Sequence, residues 1–581
     1  MPLRNCESSL KKIAFALLLL LLSGTGRLLA QAPVEVLKVD ADAQSTAFPH
    51  FWETMFGSGR AILSLREGYR KDLREVHDQV GMRYVRFHAI LHDEVGVYDE
   101  DKNGQSVYNF SYVDQIYDGL LERGVRPFVE ISFMPRKLAA RDATHPFWYK
   151  QNVAPPKDYA KWDALIQAFA QHLIDRFGID EVSHWYFEVW NEPNIDFWAG
   201  DPKQATYFEL YDHTARSLKR ANSRLRVGGP ATAIAAWIPE FLEHTARQHV
   251  PVDFVSSHAY ADDSVEDLFG TQEDIPMRDR VCRAIQKVNA EIKASPAPEL
   301  PLIWSEWNVP DFDQLHARDS LYVAPALAQN IHDCDGLVNT MSFWTFDDVF
   351  EEDGVVKEPF HGGFGLIAAG GIKKPSFYGF SLLHELGEER LSNDAGDMLV
   401  TRRKDGTLVI ALWNLVDLDK AANGSSKTIR LEFSGIPASS SATIRNVDAE
   451  HGNPTPAYLA MGSPRYPTPA QVAALNKASA LPSPTAVKLH GNQLEVTLRM
   501  NSLALIEIPA IAKTDAGARE SRGAQHTSLE AAPSLELGEE RSPFLRHRIR
   551  NPYQIPAGAH SIETLLLKKN VDIVPVWIVE K

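Results

Sequence analysis

Two glutamates sit where chemistry could be done. Glu192 lies in FEVWNEPN (187–194) and Glu306 in LIWSEWN (302–308). Each ends a run of aromatic and aliphatic residues, and each is accompanied by Trp and Asn. A lone glutamate at the end of an apolar run ordinarily makes a salt bridge at a protein's rim. Two in matching settings are what cleavage of a glycosidic bond requires. One carboxylic acid protonates the leaving oxygen, and one carboxylate attacks the anomeric carbon or activates water. The two groups stand about 5–5.5 Å apart for retention and about 6.5–9.5 Å apart for inversion. Trp190 and Pro193 offer Glu192 a desolvated setting that would keep it protonated, whereas Glu306 needs donors that keep it ionised. Asn191 is placed to hold a substrate hydroxyl near the anomeric centre.

Such a pair needs a frame. Eight apolar runs have strand character: FWETMFGSG (51–59), RYVRFHAI (83–90), RPFVEISF (126–133), WYFEVWNEP (185–193), LRVGGPAT (225–232), FVSSHAY (254–260), PLIWSEWN (301–308) and MSFWTFDD (341–348). They start roughly 30 to 60 residues apart, enough for a crossover helix each time. Helical stretches such as 158–177 and 204–221 lie between them. This alternation predicts an α/β fold, a (β/α)8 barrel spanning 48–385, with its chemistry at the C-terminal strand ends. There the polar residues fall: Arg86 and His88 on the second strand, Asn191 and Glu192 on the fourth, His258 and Tyr260 on the sixth, Glu306 and Asn308 on the seventh and Trp344 on the eighth. A doubly wound sheet is the alternative, but no GxGxxG follows the first strand. Gly57 and Gly59 lack a following GK[ST] and read as a tight turn. Asp347 and Asp348 read as capping or loop residues, and Trp185 and Trp198 as packing or cleft wall.

After the barrel the texture changes. TLVIALWNLV (407–416), KTIRLEFSGI (427–436), SATIRNVDA (441–449), QLEVTLRM (493–500) and SLALIEIPA (502–510) are punctuated by Pro, Gly, Ser and Asn. They predict an accessory C-terminal β-sandwich over 386–511. The segment 31–47, with VEVLKVDAD (34–42), is read as an N-terminal strand joining that sandwich. The Pro/Ala-rich stretch 454–485 is read as a loop with a short helix. Residues 512–581 read as a tail, polar and partly disordered or linker-like, with an unassigned apolar end at 564–581.

Residues 1–30 read as a signal peptide: Arg4, Lys11 and Lys12, an apolar run from Ile13 to Leu22, then small residues, with cleavage after Ala30. The run is short for a membrane span of about 20 residues, so the expectation is a secreted or periplasmic protein with no stable span after cleavage; an uncleaved anchor is the alternative. The mature chain keeps Cys282 and Cys334, too few for a disulfide scaffold, and their pairing stays open. No CxxC, HExxH or calcium loop is present, so neither a metal nor a cofactor is expected. With 60 basic and 76 acidic residues the net charge is −16, which lacks the basic footprint of a nucleic-acid binder. A composition of 44% hydrophobic and 23% charged residues is that of a globular chain.

Over 48–386 the sequence resembles glycoside hydrolase family 39, the family of retaining β-xylosidases and α-L-iduronidases. YVRFHAILHDE (84–94) and RPFVEISFMP (126–135) resemble its second and third strand segments. FEVWNEPN resembles its acid/base motif and IWSEWN its nucleophile motif. FWTFDDVFEEDG (343–354), FHGGFGLI (360–367) and KKPSFYGF (373–380) are similar to its eighth-strand region. The resemblance implies Glu192 as acid/base and Glu306 as nucleophile. It implies His88 and Phe133 lining the sugar subsite, Asn191 bonding the 2-hydroxyl, and His258 and Tyr260 on the nucleophile side. It further implies Trp344 as the sugar platform, Glu351 and Glu352 binding sugar hydroxyls, and Gly362 and Gly363 permitting a close loop approach. The activity it implies is a secreted β-xylosidase working by double displacement on an oligosaccharide or glycoside. The alternatives are an endo- or exo-hydrolase of another β-glycan, exopolysaccharide or uronic-acid glycoside, and an inactive carbohydrate-binding protein. The chain departs from the family in the Trp-Asn-Val-Pro that follows Glu306 and in its last 70 or so residues.

Overall fold

A computed structural model describes residues 34–310, 316–437 and 439–510. The expected signal peptide and the tail lie outside the described residues. All eight expected strands form, as β1 (Met55–Ser58), β2 (Tyr84–Phe87), β3 (Arg126–Ile131), β4 (Tyr186–Val189), β5 (Arg226–Thr232), β6 (Phe254–His258), β7 (Leu302–Trp307) and β8 (Thr340–Phe343). They close into a barrel in chain order, every neighbouring pair parallel.

The alternation of side chains along a strand layers the barrel interior. The lowest layer is apolar: Met55, Phe128, Phe254 and Ile303, with Tyr84 and Tyr186 packed on them. Two residues further along three of these strands come Arg86, Glu130 and Glu188, all fully buried. The layer above carries His88 and His258. On β6 and β7 the regular step breaks: pairing shifts after Ser257 and again between Trp304 and Trp307. Both Ser305 and Glu306 consequently contact groups of the barrel interior.

Amphipathic helices wrap the strands. Helix Tyr159–Phe177 buries Trp162, Leu165, Ile166, Phe169, Ala170 and Leu173, the spacing of one helical face. Asp158 caps it by accepting from the Ala160 and Lys161 amides, and Gly178 follows its end. Cys282 and Cys334 form a disulfide between helices Met277–Lys293 and Val323–Cys334.

The accessory module is a two-sheet sandwich. One sheet has seven strands, in the order 45–47, 389–391, 398–402, 408–414, 502–508, 441–447 and 485–488. The other pairs Glu35–Asp40 parallel to Lys427–Ser434, which pairs antiparallel to Gln493–Leu498. Three short strands, 389–391, 398–402 and 485–488, were not expected from the pattern, and the segment 31–47 supplies two strands, Glu35–Asp40 and Ser45–Ala47, where one was expected. Strand Leu408–Asn414 is buried on both faces. Ile410 and Leu412 enter the sandwich core, while Val409, Ala411 and Trp413 join the barrel core. Trp413 Nε1 donates to Gln329 Oε1 on the barrel helix at 3.0 Å. The stretch 454–485 holds two helices, Thr455–Ala460 and Pro469–Ser479. Their Tyr458 and Leu475 pack on Ala368 and Ile372 beside the barrel mouth.

Candidate active site

The barrel mouth opens on a cavity of about 400 Å³ lined by His88, Asn191, Glu192, His258, Tyr260, Glu306, Trp344 and Glu352 among others. At its floor lies Arg86. Its guanidinium bonds Glu188 Oε2 at 2.6 Å and Glu306 Oε1 at 2.5 Å, with Asn191 Oδ1 at 2.9 Å and Glu130 Oε2 at 2.8 Å. Burial opposes the charge, but three surrounding carboxylates overcome it and raise the Arg86 pKa. A planar fork of donors suits this four-way contact, which lysine could not make. Burial likewise pushes the Glu130 carboxyl up, but His88 and Arg86 outweigh it and hold its pKa below the usual value.

Glu306 is set on this floor by two donors. Arg86 Nη1 bonds one carboxylate oxygen and the Tyr260 hydroxyl donates to the other at 2.9 Å. Glu192 is set differently. Its Oε1 lies 2.9 Å from His258 Nδ1, and the same nitrogen is 3.7 Å from Glu306 Oε1. Burial drives the His258 pKa down to about 4, with Glu306 pulling the other way and Arg86 adding to the depression, so the ring is neutral at ordinary pH. One oxygen of Glu192, one nitrogen of His258 and one oxygen of Glu306 all lie within 4.8 Å of one another. Glu192 and Glu306 are 8% and 4% exposed, and both line the cavity.

The turn that presents Glu192 is tightly held. Trp190 and Glu192 take left-handed backbone angles, φ 72° and 43°, a cost that functional turns commonly carry. The Glu192 amide bonds Ala231 O at 2.8 Å. Asn194 reaches across to the Ala233 backbone with both ends of its amide. Trp190 turns away from Glu192: its Nε1 donates to Phe197 O at 2.7 Å, and its ring packs on Phe133 and Trp198. The expectation that Trp190 desolvates the Glu192 carboxyl is therefore corrected; the group against that carboxyl is the His258 imidazole.

Asn191 gives its Oδ1 to Arg86, which leaves its amide NH2 as the group offered to a ligand. Trp344 lies over the floor, its ring 5.6 Å from the Arg86 guanidinium and 4.7 Å from the His88 ring. That placement depends on Gly57 of β1, where a Cβ would come within 2.0 Å of the Trp344 ring. Gly57 is thus a strand residue under the indole and not part of a tight turn. Gly363 makes a similar approach, with a Cβ position 2.4 Å from Asp348 Oδ1, while Gly362 has φ 80° and its amide bonds Asp319 at 2.7 Å. His88 bonds Glu130 at 2.7 Å through Nδ1 and turns Nε2 toward Glu352, 3.6 Å away.

Two expected site residues sit elsewhere. Glu351 is buried and clamped by Arg60 at 3.0 Å and Arg66 at 2.5 Å. Burial would raise its pKa, yet the two arginines lower it. It anchors the loop after β8, and only its neighbour Glu352 lines the cavity. Phe133 lies behind the wall, stacked on Phe197 at 6.0 Å and edge-on to Trp190 at 5.5 Å. The pattern placed Arg86 among the polar strand-end residues without a specific role, and it did not single out Glu130, Glu188 or Ser305. Their signal was the two-residue step from Tyr84, Phe128, Tyr186 and Ile303 along their strands, which places them inside the barrel. Asp196, Asp263 and Phe364 also line the cavity, from connecting loops that carry no periodic signal.

A barrel of this design, with two differently supported carboxyls at its mouth, defines the class of glycoside hydrolases. The model of Glycosyl hydrolases family 39 matches residues 35–492, and the chain belongs to that family. It is 40% identical to a beta-xylosidase of Geobacillus stearothermophilus over 80% of this chain and 94% of the relative. It is 38% identical to a beta-xylosidase of Caldicellulosiruptor saccharolyticus over 74% of this chain and 88% of the relative. Among solved structures it is similar to a monomeric beta-xylosidase from Caulobacter crescentus CB15. That likeness has 34% identity and a TM-score of 0.74, covering 82% of this chain and all of the other. The protein is a glycoside hydrolase with β-xylosidase-like relatives across most of its length.

Proposed function

We propose that this enzyme is a retaining β-xylosidase that releases xylose from non-reducing ends. The observation that carries the reading is the contrast between two carboxyls whose nearest oxygens lie within 4.8 Å. Glu306 accepts from a guanidinium and a phenol, whereas Glu192 lies against the His258 imidazole. Such proximity matches direct attack by one carboxylate and leaves little room for a water between them.

Glu306 attacks the anomeric carbon as the glycosidic C–O bond breaks, and the leaving oxygen takes the Glu192 proton. The glycosyl ester on Glu306 then yields to water, whose proton returns to Glu192. The Asn191 NH2 bonds the 2-hydroxyl, and Trp344 carries the sugar ring. A neutral sugar fits better than a uronate. Among the described residues lining the cavity there is no Lys or Arg, and Arg86 beneath them is taken up by Glu130, Glu188 and Glu306, while Glu352, Asp196 and Asp263 would repel a second carboxylate. Export, by way of the N-terminal segment, is in keeping with the disulfide between Cys282 and Cys334.

The test is Glu306→Gly with an activated aryl β-xyloside. Turnover should fall by several orders of magnitude, on the order of 10⁴-fold or more. Added azide should restore it and yield the α-xylosyl azide. Turnover close to wild type without azide would remove Glu306 from the mechanism.

A further inference from the structure

Behind the His258–Glu192 contact runs a buried chain of hydrogen bonds whose polarity can be read. Ser305 Oγ lies 2.6 Å from Glu188 Oε1 and 3.1 Å from His258 Nε2. The other Glu188 oxygen is held by Arg86 Nε at 2.6 Å. Ser305, Glu188 and His258 are all fully buried. A carboxylate only accepts, so the single Ser305 hydroxyl proton points to Glu188. The Ser305 oxygen must then accept, and the donor is His258 Nε2–H. A neutral imidazole with its proton on Nε2 presents a bare lone pair at Nδ1. That lone pair faces Glu192 Oε1 at 2.9 Å. Two acceptors at this distance repel, so the contact is a bond only while Glu192 holds a proton.

We propose that Ser305 and Glu188 are positioning residues that fix the Nε2–H tautomer of His258 and thereby keep the proton on Glu192 in the resting enzyme. The proposal rests on Glu192 being the acid/base. It also accounts for the second half of the cycle. Once Glu192 has given up its proton, the Nδ1 lone pair opposes the new carboxylate and favours proton uptake from the attacking water. The charged groups around this pair are those of the barrel floor. Glu306 comes from β7, Arg86 from β2, Glu130 from β3 and Glu188 from β4, and Asp196 and Asp263 line the same cavity.

Ser305→Ala removes the acceptor without adding bulk. The imidazole is then free to place its proton on Nδ1 and donate to an ionised Glu192. The basic limb of the kcat/KM profile for xylobiose should move down by about one pH unit, a tenfold loss on that limb. Hydrolysis of 2,4-dinitrophenyl β-xyloside, whose leaving group needs no proton, should have a kcat/KM close to wild type. Ser305→Thr, which keeps the hydroxyl, should restore the limb. Glu192→Ala is the comparator: failure to lose xylobiose activity selectively would overturn Glu192 as the acid. If it behaves as an acid deletion, an unmoved limb in Ser305→Ala, or equal loss on both substrates, overturns the relay alone. Neutron diffraction from the deuterated wild-type enzyme decides the matter independently of folding in the variants. Deuterium on His258 Nε2 and on Glu192 is the expected result, and deuterium on His258 Nδ1 overturns the proposal.

Discussion

Arg86 sets the charge of the site. It is the cation at the centre of Glu130, Glu188 and Glu306, and it also donates to Asn191 Oδ1, fixing the orientation of that amide. Removing one partner from so buried a network typically costs about 3–5 kcal/mol, so the floor acts as one unit. Gly57 matters for the opposite reason, because it contributes nothing but space. Trp344 occupies the volume that any side chain there would take. Gly57→Ala should therefore tilt the indole and lower kcat/KM on aryl xylosides by about a hundredfold, the scale of a misplacement near 1 Å. The secondary structure should survive, as circular dichroism can check. Unchanged kinetics would show that the indole position is not needed.

At the scale of elements, the strands and both carboxyl-bearing turns were legible because aromatic and β-branched runs recur at crossover spacing. The charged floor was harder to see. YVRF, FVEI and YFEV each bury one charged residue between apolar ones, and a charge inside a strand reads as a surface position until closure of the barrel puts it inside. Glu351 was misplaced because two neighbouring glutamates look alike in sequence, whereas Arg60 and Arg66, far upstream, claim only one of them. The segment after β8 holds a further consequence. Asp347 is fully buried, and among the described residues no side chain donates to its carboxylate oxygens, the Val349 backbone being the one group that eases their charge. Burial, then Asp72 and Asp348, raise its pKa well above the usual value. Asp72 on the helix Glu67–Val80 is raised as well, mainly by burial. A raised carboxyl holds its proton in the native state and not in the unfolded one. Its stabilising contribution is therefore whole below the ordinary carboxylate range and fades as pH climbs toward the native pKa, by about 1.4 kcal/mol per pH unit for each such group. Above about pH 6.5, beyond the range in which the depressed His258 pKa gives the opposite slope, melting temperature should fall as pH rises toward about 8, and Asp347→Asn should flatten that slope. Identical slopes in the two proteins would show that Asp347 is not protonated in the fold.

In the whole molecule, the sandwich is a support for the barrel as well as a domain with its own core. Its long sheet lends Val409, Ala411 and Trp413 to the barrel core, and the helices of 454–485 brace the segment that carries Ala368 and Ile372. The disulfide ties two neighbouring barrel helices whose cysteines are 52 residues apart in sequence. A loop of that size stabilises a fold by about 2–4 kcal/mol. These supports hold two carboxyls at a short, fixed separation, and in the proposed mechanism that separation sets the stereochemical outcome. Proton NMR of the first sugar released from an aryl β-xyloside reads it directly, before mutarotation mixes the anomers. β-Xylose should appear first, through double inversion at Glu306. Initial release of α-xylose would mean a single displacement by water and would contradict the account.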